Sequence, residues 1–393
     1  MTPSHRESPL PPAIAKLEAH VLRWPVRVPV RTSFGTMLDR PAVLLRIEDE
    51  EGAHGWGEAW CNFPACGAEH RARLIETLFT PLVVGRAFAS PAAAWAELTL
   101  KTAVLALQAG EPGPIAQAIA GFDIAMHDLA ARRAGLPLWR HLAGVASIED
   151  ATAIRKVPVY ASGINPERPG EAVAALRAAG YTAFKLKVGF GEARDVENLA
   201  AVRTAAGSDA IVMADANQAW DLDTALGMAR RLAGSAPAWL EEPLRADRPW
   251  REWQRLAQAS AIPLAAGENT IGDQAFDALI ASRAIAVVQP DLAKWGGVSG
   301  VLGVIDRISA AGLRYCPHYL GAGIGLLASA HLLAARGSGQ SLLEVDANEN
   351  PLRGLLCPAL DILSAGCFEL SGAAPGLGIE PDIAALRWVC APT

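Results

Sequence analysis

The pattern of apolar and polar residues along the chain changes at Val157. Before it, apolar runs at 14–30, 42–47 and 55–59 predict an antiparallel meander, and the Ala- and Leu-rich stretch 68–142 has helical spacing. After it, short apolar runs alternate with helical segments. Strands followed by helices are typical of an α+β domain, whereas alternating strands and helices are typical of a parallel sheet.

The second part of the chain contains eight short apolar runs, and all but the first carry polar residues at or near their ends. They lie at 157–161, 183–189, 211–215, 239–242, 262–268, 286–291, 313–318 and 342–346. From Lys187 onward, the polar ends follow one another at intervals of 23 to 28 residues. One strand, one helix and two loops fit this interval. The pattern predicts an α/β barrel, in which the C-terminal strand ends converge on one mouth.

Acidic residues end three consecutive runs: Asp215, the pair Glu241–Glu242, and Glu268. Unpaired carboxylates would repel one another at a shared mouth, and a hard divalent cation relieves this repulsion. Oxygen ligands with open positions suit Mg²⁺. Because side chains alternate along a strand, Glu241 and Glu242 cannot both face the mouth, and the pattern does not decide between them. Salt bridges or helix capping are the alternative roles for these acids.

Lys185 and Lys187 lie two residues apart on one strand and therefore share a face. We expect their mutual repulsion to lower the pKa of each, which favours a neutral amine that can act as a base. The alternative is a pair of surface lysines with extended side chains.

Asp291 and His318 end two neighbouring strands on the opposite side of the predicted barrel. A carboxylate that holds one imidazole nitrogen orients the ring and raises its basicity. Two bases on opposite faces of a substrate held by a cation suit removal of a proton α to a carboxylate. The cation stabilises the enolate that results.

Composition narrows the class of protein further. The chain has 393 residues, of which 51% are apolar, so it is long enough for a barrel and a second domain. Its net charge is −6 and it has no basic run, so we do not expect nucleic acid as a partner. It contains no apolar run of about 18 residues, no evident signal peptide and no CxxC pair, so we expect no membrane span. These features favour a cytoplasmic enzyme with reduced cysteines.

The strand-end motifs resemble those of the enolase superfamily, in its mandelate racemase subgroup. The motifs are Lys185-Leu186-Lys187, Asp215-Ala216-Asn217, Glu241-Glu242-Pro243, Gly267-Glu268-Asn269, Gln289-Pro290-Asp291 with Lys294, His318, and Glu344. The resemblance implies a modified TIM barrel of the (β/α)₇β type with an N-terminal α+β capping domain. The implied domains are 1–145 for the capping domain, 146–366 for the barrel, and 367–393 for a segment that packs back on the capping domain.

The resemblance also implies a role for each strand-end residue. Glu241 rather than Glu242 would bind Mg²⁺ together with Asp215 and Glu268. Lys187 and the His318–Asp291 pair would be the acid/base groups on the two faces of the substrate. The residues implied to contact the substrate or the enolate are Lys185, Glu344, Asn217, Lys294 and Arg31, with the segments 28–40 and 61–67 closing over the site.

Several overall reactions begin with removal of the proton α to a carboxylate. Dehydration of a sugar acid to a 2-keto-3-deoxy acid is the one that we favour, because such acids are the substrates most often associated with this residue set. Racemisation or epimerisation and lactone cycloisomerisation are alternatives, as is a non-catalytic carboxylate-binding protein. The resemblance further implies a small carboxylate substrate and a homo-oligomer, from dimer to octamer.

Overall fold

The computed structural model describes residues 11–31, 35–144, 154–361 and 363–390. The chain begins with a three-stranded antiparallel sheet, in which β2 (Thr36–Asp49) lies between β1 (Ile14–Arg31) and β3 (His54–Ala59). Helical segments follow: α1 (Gly67–Leu74), a π-helical turn (Ile75–Phe79), α2 (Thr80–Val83), α3 (Pro91–Ala109), α4 (Pro112–Arg133) and α5 (Leu138–Leu142). Strands followed by helices form the predicted α+β capping domain.

Helix α4 is buried around almost its whole circumference between Ile115 and Ala131. It packs against β3 on one side and against the barrel helix α11 (Gly297–Ala310) on the other. A helix that is buried on all faces lies between two layers. The capping domain therefore meets the barrel through α4.

The remainder of the chain alternates parallel strands with helices. The elements are β4 (Arg155–Ile164), α6 (Pro169–Ala178), β5 (Ala183–Lys187), α7 (Glu192–Ala206), β6 (Ile211–Asp215), α8 (Leu222–Leu232), β7 (Leu240–Glu241), α9 (Trp250–Ala259), β8 (Leu264–Ala266), α10 (Asp273–Ala281), β9 (Val287–Val288), α11, β10 (Arg314–Tyr315), α12 (Gly323–Arg336) and β11 (Leu343–Asp346). The strand order is β10-β9-β8-β7-β6-β5-β4-β11. This arrangement confirms the predicted fold class, a (β/α)₇β barrel with a capping domain.

The register of the barrel strands places functional side chains at one level. Lys187 on β5 pairs with Asp215 on β6, and Asp215 pairs with Glu241 on β7. Below them, buried residues such as Met213 and Trp239 fill the barrel interior. The polar side chains therefore sit on an apolar floor at the C-terminal ends of the strands.

After the barrel, the chain returns to the capping domain. Helix α13 (Pro351–Leu356) is followed by β12 (Cys367–Leu370), which pairs antiparallel with β4, and by α14 (Ile383–Val389). The Leu377 amide donates to Asp128 of α4 at 2.7 Å. The predicted boundary at 145–146 lies outside the described residues, and the domain boundaries stay predictions. Within the described part of the chain, every helix is too short or too polar to cross a membrane.

Candidate active site

Lys185 lies at the centre of the polar cluster and is fully buried. Its Nζ is 2.6 Å and 2.7 Å from the two carboxyl oxygens of Glu241, 2.8 Å from Glu344 Oε1 and 3.6 Å from Asp215 Oδ2. Burial lowers the pKa of Lys185, but Glu241 and Glu344 outweigh it and hold this pKa well above its usual range. Lys185 is therefore an ammonium ion in this arrangement.

Lys187 is paired with a single acid, Asp215, whose Oδ2 is 2.6 Å from its Nζ. Burial lowers the pKa of Lys187, but Asp215 raises it by more, so the pKa lies above its ordinary value. The expectation of lowered lysine pKa values was therefore wrong. Repulsion from Lys185 is present, but the acids on the neighbouring strands outweigh it. The backbone amide of Asn217 also donates to Asp215, at 2.8 Å from Oδ1.

His318 lies between two acids. Its Nδ1 is 2.7 Å from Asp291 Oδ2 and its Nε2 is 2.7 Å from Glu268 Oε2. Burial lowers the pKa of His318, but Glu268 and Glu344 raise it to about 10. The structure thus brings the predicted dyad together and adds Glu268 to it. Lys294 Nζ donates to the same Glu268 oxygen at 2.9 Å.

The neighbouring glutamates Glu241 and Glu242 have different surroundings. Burial raises the pKa of Glu241 to about 7, and its carboxyl group accepts from Gln289 Nε2 at 2.6 Å. The Glu242 carboxyl group accepts instead from Asn269 Nδ2 at 2.8 Å, and burial raises its pKa well above the usual range. Glu241 faces the barrel interior beside Lys185, whereas Glu242 packs beside the loop that carries Glu268.

Glu344 lies on the last barrel strand, β11, on the far side of Lys185. Its Oε1 accepts from the Ser162 hydroxyl, and its Oε2 accepts from the Tyr319 amide at 3.3 Å. Burial raises the pKa of Glu344, but Lys185 and His318 lower it by more. Glu344 is therefore a carboxylate that links Lys185 to the segment after His318.

The three predicted metal ligands fit Mg²⁺ by the chemistry of their donors. Asp215, Glu241 and Glu268 all offer carboxyl oxygens, which Mg²⁺ prefers. Asp215 and Glu268 both raise the pKa of Glu241, so the three carboxyl groups interact electrostatically. In this conformation each acid is turned towards Lys185, Lys187 or His318. Across the described residues, no three such side chains are gathered closely enough to hold an ion. Their roles as ligands stay predictions.

Sequence reasoning missed Ser162 and Trp60, which touch this cluster, and it named Gln289 in a motif without assigning it a role. Gln289 directly follows β9, two residues before Asp291, so its position at the strand end could have indicated it. Trp60 comes from the capping domain, and its ring centre is 5.1 Å from Lys294 Nζ. No local pattern connects Trp60 with the barrel. The side chain of Arg31 and part of the segment 28–40 lie outside the described residues.

Two family profiles match the chain. The N-terminal domain of the mandelate racemase/muconate lactonizing enzyme family matches residues 16–144, and the enolase C-terminal domain-like family matches residues 169–385. The chain belongs to the mandelate racemase/muconate lactonizing enzyme family of the enolase superfamily. The predicted resemblance is thereby confirmed.

Similar proteins cover almost the whole chain. A D-galactarolactone cycloisomerase from Agrobacterium fabrum is 28% identical over 383 residues, which are 93% of this chain and 96% of that protein. A mandelate racemase/muconate lactonizing enzyme structure from Bordetella bronchiseptica RB50 is 59% identical, with a TM-score of 0.89 over 96% of this chain and 99% of that one. A Streptomyces coelicolor A3(2) racemase with bound magnesium is 25% identical, with a TM-score of 0.80 over 96% and 99% of the chains. Other relatives are named as sugar-acid dehydratases, cycloisomerases and racemases.

Proposed function

We propose that this family member is a Mg²⁺-dependent enzyme that removes the proton α to the carboxylate of a sugar acid and then eliminates the β-hydroxyl group. The product is a 2-keto-3-deoxy acid. The observation that carries the proposal is the continuous cluster of acids and bases at the strand ends, in which an ammonium group and an imidazole each contact a different acid.

The protonation states define what the two bases must do. The raised pKa values of Lys187 and His318 mean that both groups hold a proton in this arrangement. To act as a base, each must first lose that proton. Releasing Asp215 from Lys187, or Glu268 from His318, removes the charge that raises the pKa and so favours the neutral base. Bound Mg²⁺, held by Asp215, Glu241 and Glu268, would supply positive charge that stabilises the enolate.

Dehydration then requires one base and one acid. Lys187 or His318 accepts the α-proton, and the electron pair of the broken C–H bond forms the enolate. His318 in its protonated form donates to the β-hydroxyl group, which leaves as water as the C–O bond breaks. The enol that remains takes up a proton at the β-carbon and loses the proton of its hydroxyl group, which gives the 2-keto acid. Asp291 holds the imidazole Nδ1, so Nε2 becomes available to the substrate once Glu268 releases it.

Lactone cycloisomerisation is the second candidate. It is favoured by the cycloisomerase from Agrobacterium fabrum, whose similarity extends over 93% of this chain. It uses the same α-proton, but the carboxylate leaves from the lactone ring instead of a hydroxyl group. Racemisation or epimerisation would follow if no leaving group is present and the proton returns to the other face.

A library of aldonic acids, aldaric acids and their lactones, incubated with Mg²⁺ in D₂O, distinguishes these reactions. Formation of a 2-keto acid from an open-chain acid supports dehydration. Consumption of a lactone supports cycloisomerisation, and deuterium incorporation with inversion supports epimerisation. A protein that binds Mg²⁺ but exchanges no α-proton would refute the enzyme proposal and indicate a carboxylate-binding protein. Light scattering of the same sample tests the proposed homo-oligomer.

A further inference from the structure

Glu58 is a carboxyl group of the capping domain that is buried against the barrel. It lies on β3, and only 2% of the residue is exposed. Its Oε1 accepts from the Ala322 amide at 2.6 Å, and its Oε2 accepts from the Gly325 amide at 2.9 Å. Both amides belong to the start of α12, which follows His318 in the chain. A carboxylate at a helix N-terminus satisfies amide groups that have no partner within the helix.

The segment 319–325, which we call the post-histidine turn, is held along its whole length. The Tyr319 amide donates to Glu344 at 3.3 Å, and Asn350 Nδ2 donates to the Gly321 carbonyl at 2.8 Å. The capping domain adds Asn62, whose Nδ2 donates to the Leu320 carbonyl. Glu58 then holds the far end of the turn. The backbone that follows the imidazole is therefore fixed partly by side chains from the other domain.

The post-histidine turn has little space in which to relax. A Cβ atom on Gly321 would lie 2.4 Å from the Tyr319 hydroxyl oxygen and 2.7 Å from Glu58 Oε1. A Cβ atom on Gly325 would also lie 2.4 Å from the Tyr319 hydroxyl oxygen. Both glycines are thus required by close approach, and the turn fits closely around the Glu58 carboxyl group.

A neutral side chain could also cap the helix, so the presence of a buried acid at this position needs an explanation. Burial of a carboxyl group without a cationic partner is unfavourable, and burial raises the pKa of Glu58. Two hydrogen bonds to one ionised group are shorter and stronger than bonds to a neutral acceptor. The benefit is a rigid connection between β3 and the turn that carries the imidazole.

We propose that Glu58 is a positioning residue, which holds the post-histidine turn so that the His318 imidazole stays aligned with Asp291 and the substrate. The proposal rests on the proposed function, in which His318 transfers the proton on one face. It assigns to the capping domain a direct part in aligning the acid/base pair. A displacement of about 1 Å in such a group can reduce a rate about 100-fold.

The first test compares two variants in which one buried carboxyl group is replaced by an amide of the same size. Glu58→Gln keeps the size of the side chain, but its amide NH₂ faces one of the two backbone amides. Asp128→Asn is the control, because Asp128 is also a buried capping-domain acid that accepts two backbone amides, from Trp56 at 2.8 Å and Leu377 at 2.7 Å. Unlike Glu58, it is also paired with a cation, Arg132, at 2.9 Å. We expect faster amide hydrogen exchange across 319–325 in Glu58→Gln and unchanged exchange there in Asp128→Asn. Equal exchange of this segment in both variants would overturn the proposal.

The second test measures proton transfer on the two faces. The probes are the two α-epimers of whichever acid the wild type exchanges fastest in D₂O with Mg²⁺. Glu58→Gln should lose about 10- to 100-fold in exchange of the epimer that depends on His318, and should keep exchange of the epimer that depends on Lys187. Asp128→Asn should change both by one common factor. An equal loss on both faces in Glu58→Gln would indicate a merely structural role and refute the positioning role.

Failure of the proposed function has a different signature. If the wild type exchanges no α-proton in any acid, the proposed reaction is wrong, and the catalytic role of the turn is refuted with it. Amide exchange still reports separately whether Glu58 holds the turn. If the wild type is active but its two faces respond equally to Glu58→Gln, the reaction stands and only the positioning role of Glu58 is lost.

Discussion

Lys187 and His318 are the two side chains that we propose as the proton-transfer groups at the strand ends. Each is paired with an acid from a neighbouring strand end, Lys187 with Asp215 and His318 with Glu268. The lysine spacing in the sequence revealed the like charge of Lys185, which lowers the pKa of Lys187. It did not reveal the distance to Asp215, which has the larger effect. The direction of the Lys187 pKa shift could therefore not be predicted without knowing the register between strands β5 and β6.

Replacement of each base in turn should distinguish proton transfer on the two faces of the substrate. Lys187→Ala removes the ammonium group and should reduce α-proton exchange of one epimer by about 10²- to 10⁴-fold. His318→Asn keeps a polar side chain but removes the imidazole, and should reduce exchange of the other epimer, or dehydration, by a similar factor. Deuterium incorporation measured by NMR gives both rates. Full activity in both variants would show that neither side chain is a base.

Asp123 offers a test of pH dependence away from the candidate site. Its carboxyl group accepts from the Ser299 hydroxyl at 2.6 Å and from the Ser299 amide at 2.9 Å, and burial raises its pKa to about 7. The folded state therefore binds this proton more tightly than the unfolded state, whose Asp titrates near a pKa of about 3.9. This group stabilises the fold least when it is ionised, so its contribution falls as pH rises from about 4 to about 7.

Asp123→Asn removes this titration. Relative to the wild type, the variant should gain melting temperature as pH rises from about 5 to about 8, because only the wild type must bury an ionised carboxylate there. Thermal denaturation of both proteins at several pH values measures the difference. His127 has its Nε2 2.9 Å from the Ser299 hydroxyl and 3.9 Å from Asp123 Oδ2, but burial lowers its pKa to about 3, so it stays neutral across this pH range. A difference in melting temperature that does not vary with pH would contradict the assignment.

At the scale of elements, strand β3 packs on helix α4 at a distance that only glycine permits. A Cβ atom on Gly57 would lie 2.0 Å from the Gly121 carbonyl oxygen, and one on Gly55 would lie 2.2 Å from the Ala125 carbonyl oxygen. Both obstacles are backbone atoms and cannot rotate away. The strand could be predicted from its apolar pattern, but no pattern in the chain indicated that α4 approaches it so closely. This contact also carries Glu58 into the interface with the barrel.

Gly57→Ala should therefore destabilise the protein by about 1–3 kcal/mol or more, because the strand must move away from α4. Gly227→Ala is the matched control: Gly227 lies inside α8, and no atom lies within 4 Å of the added Cβ. Alanine has the higher helix propensity, so the control should gain about 0.5–1 kcal/mol. Denaturant unfolding of the two variants measures the change in the free energy of unfolding for each and therefore its sign. A stable Gly57→Ala protein would mean that β3 and α4 are further apart than described.

For the whole molecule, the barrel was predictable because its information is local and periodic. Each βα unit repeats an apolar strand, a polar strand end and a helix, so the phase of Asp215, Glu241 and Glu268 could be read from spacing alone. Contacts between domains have no such period. Arg40 on β2 is buried and bonds Asp346 at the end of β11 at 2.6 Å, and Glu58 meets Gly325 across a similar separation in the chain. These contacts depend on how the domains dock, which spacing along the chain does not encode.

Stability of the whole molecule should depend on Mg²⁺. Ligands that bind only the folded state stabilise it, by about 2.7 kcal/mol at a concentration 100 times the dissociation constant. We expect the melting temperature to rise steadily with the logarithm of Mg²⁺ concentration, and a chelator to reverse the rise. Glu268→Gln removes one predicted ligand and should weaken Mg²⁺ binding. The dependence of its melting temperature on Mg²⁺ should shift to higher concentrations.

Glu242→Gln is the control that makes this experiment decisive. Glu242 is also buried and lies beside the Glu268 loop, where it accepts from Asn269. Burial raises its pKa well above the usual range, and a Gln side chain of the same size keeps an oxygen that can accept from Asn269. Glu242→Gln should therefore keep the wild-type response to Mg²⁺. If Glu242→Gln lost the response while Glu268→Gln kept it, the side chain that faces the ion would be Glu242, and the ligand set would have to be redrawn around it.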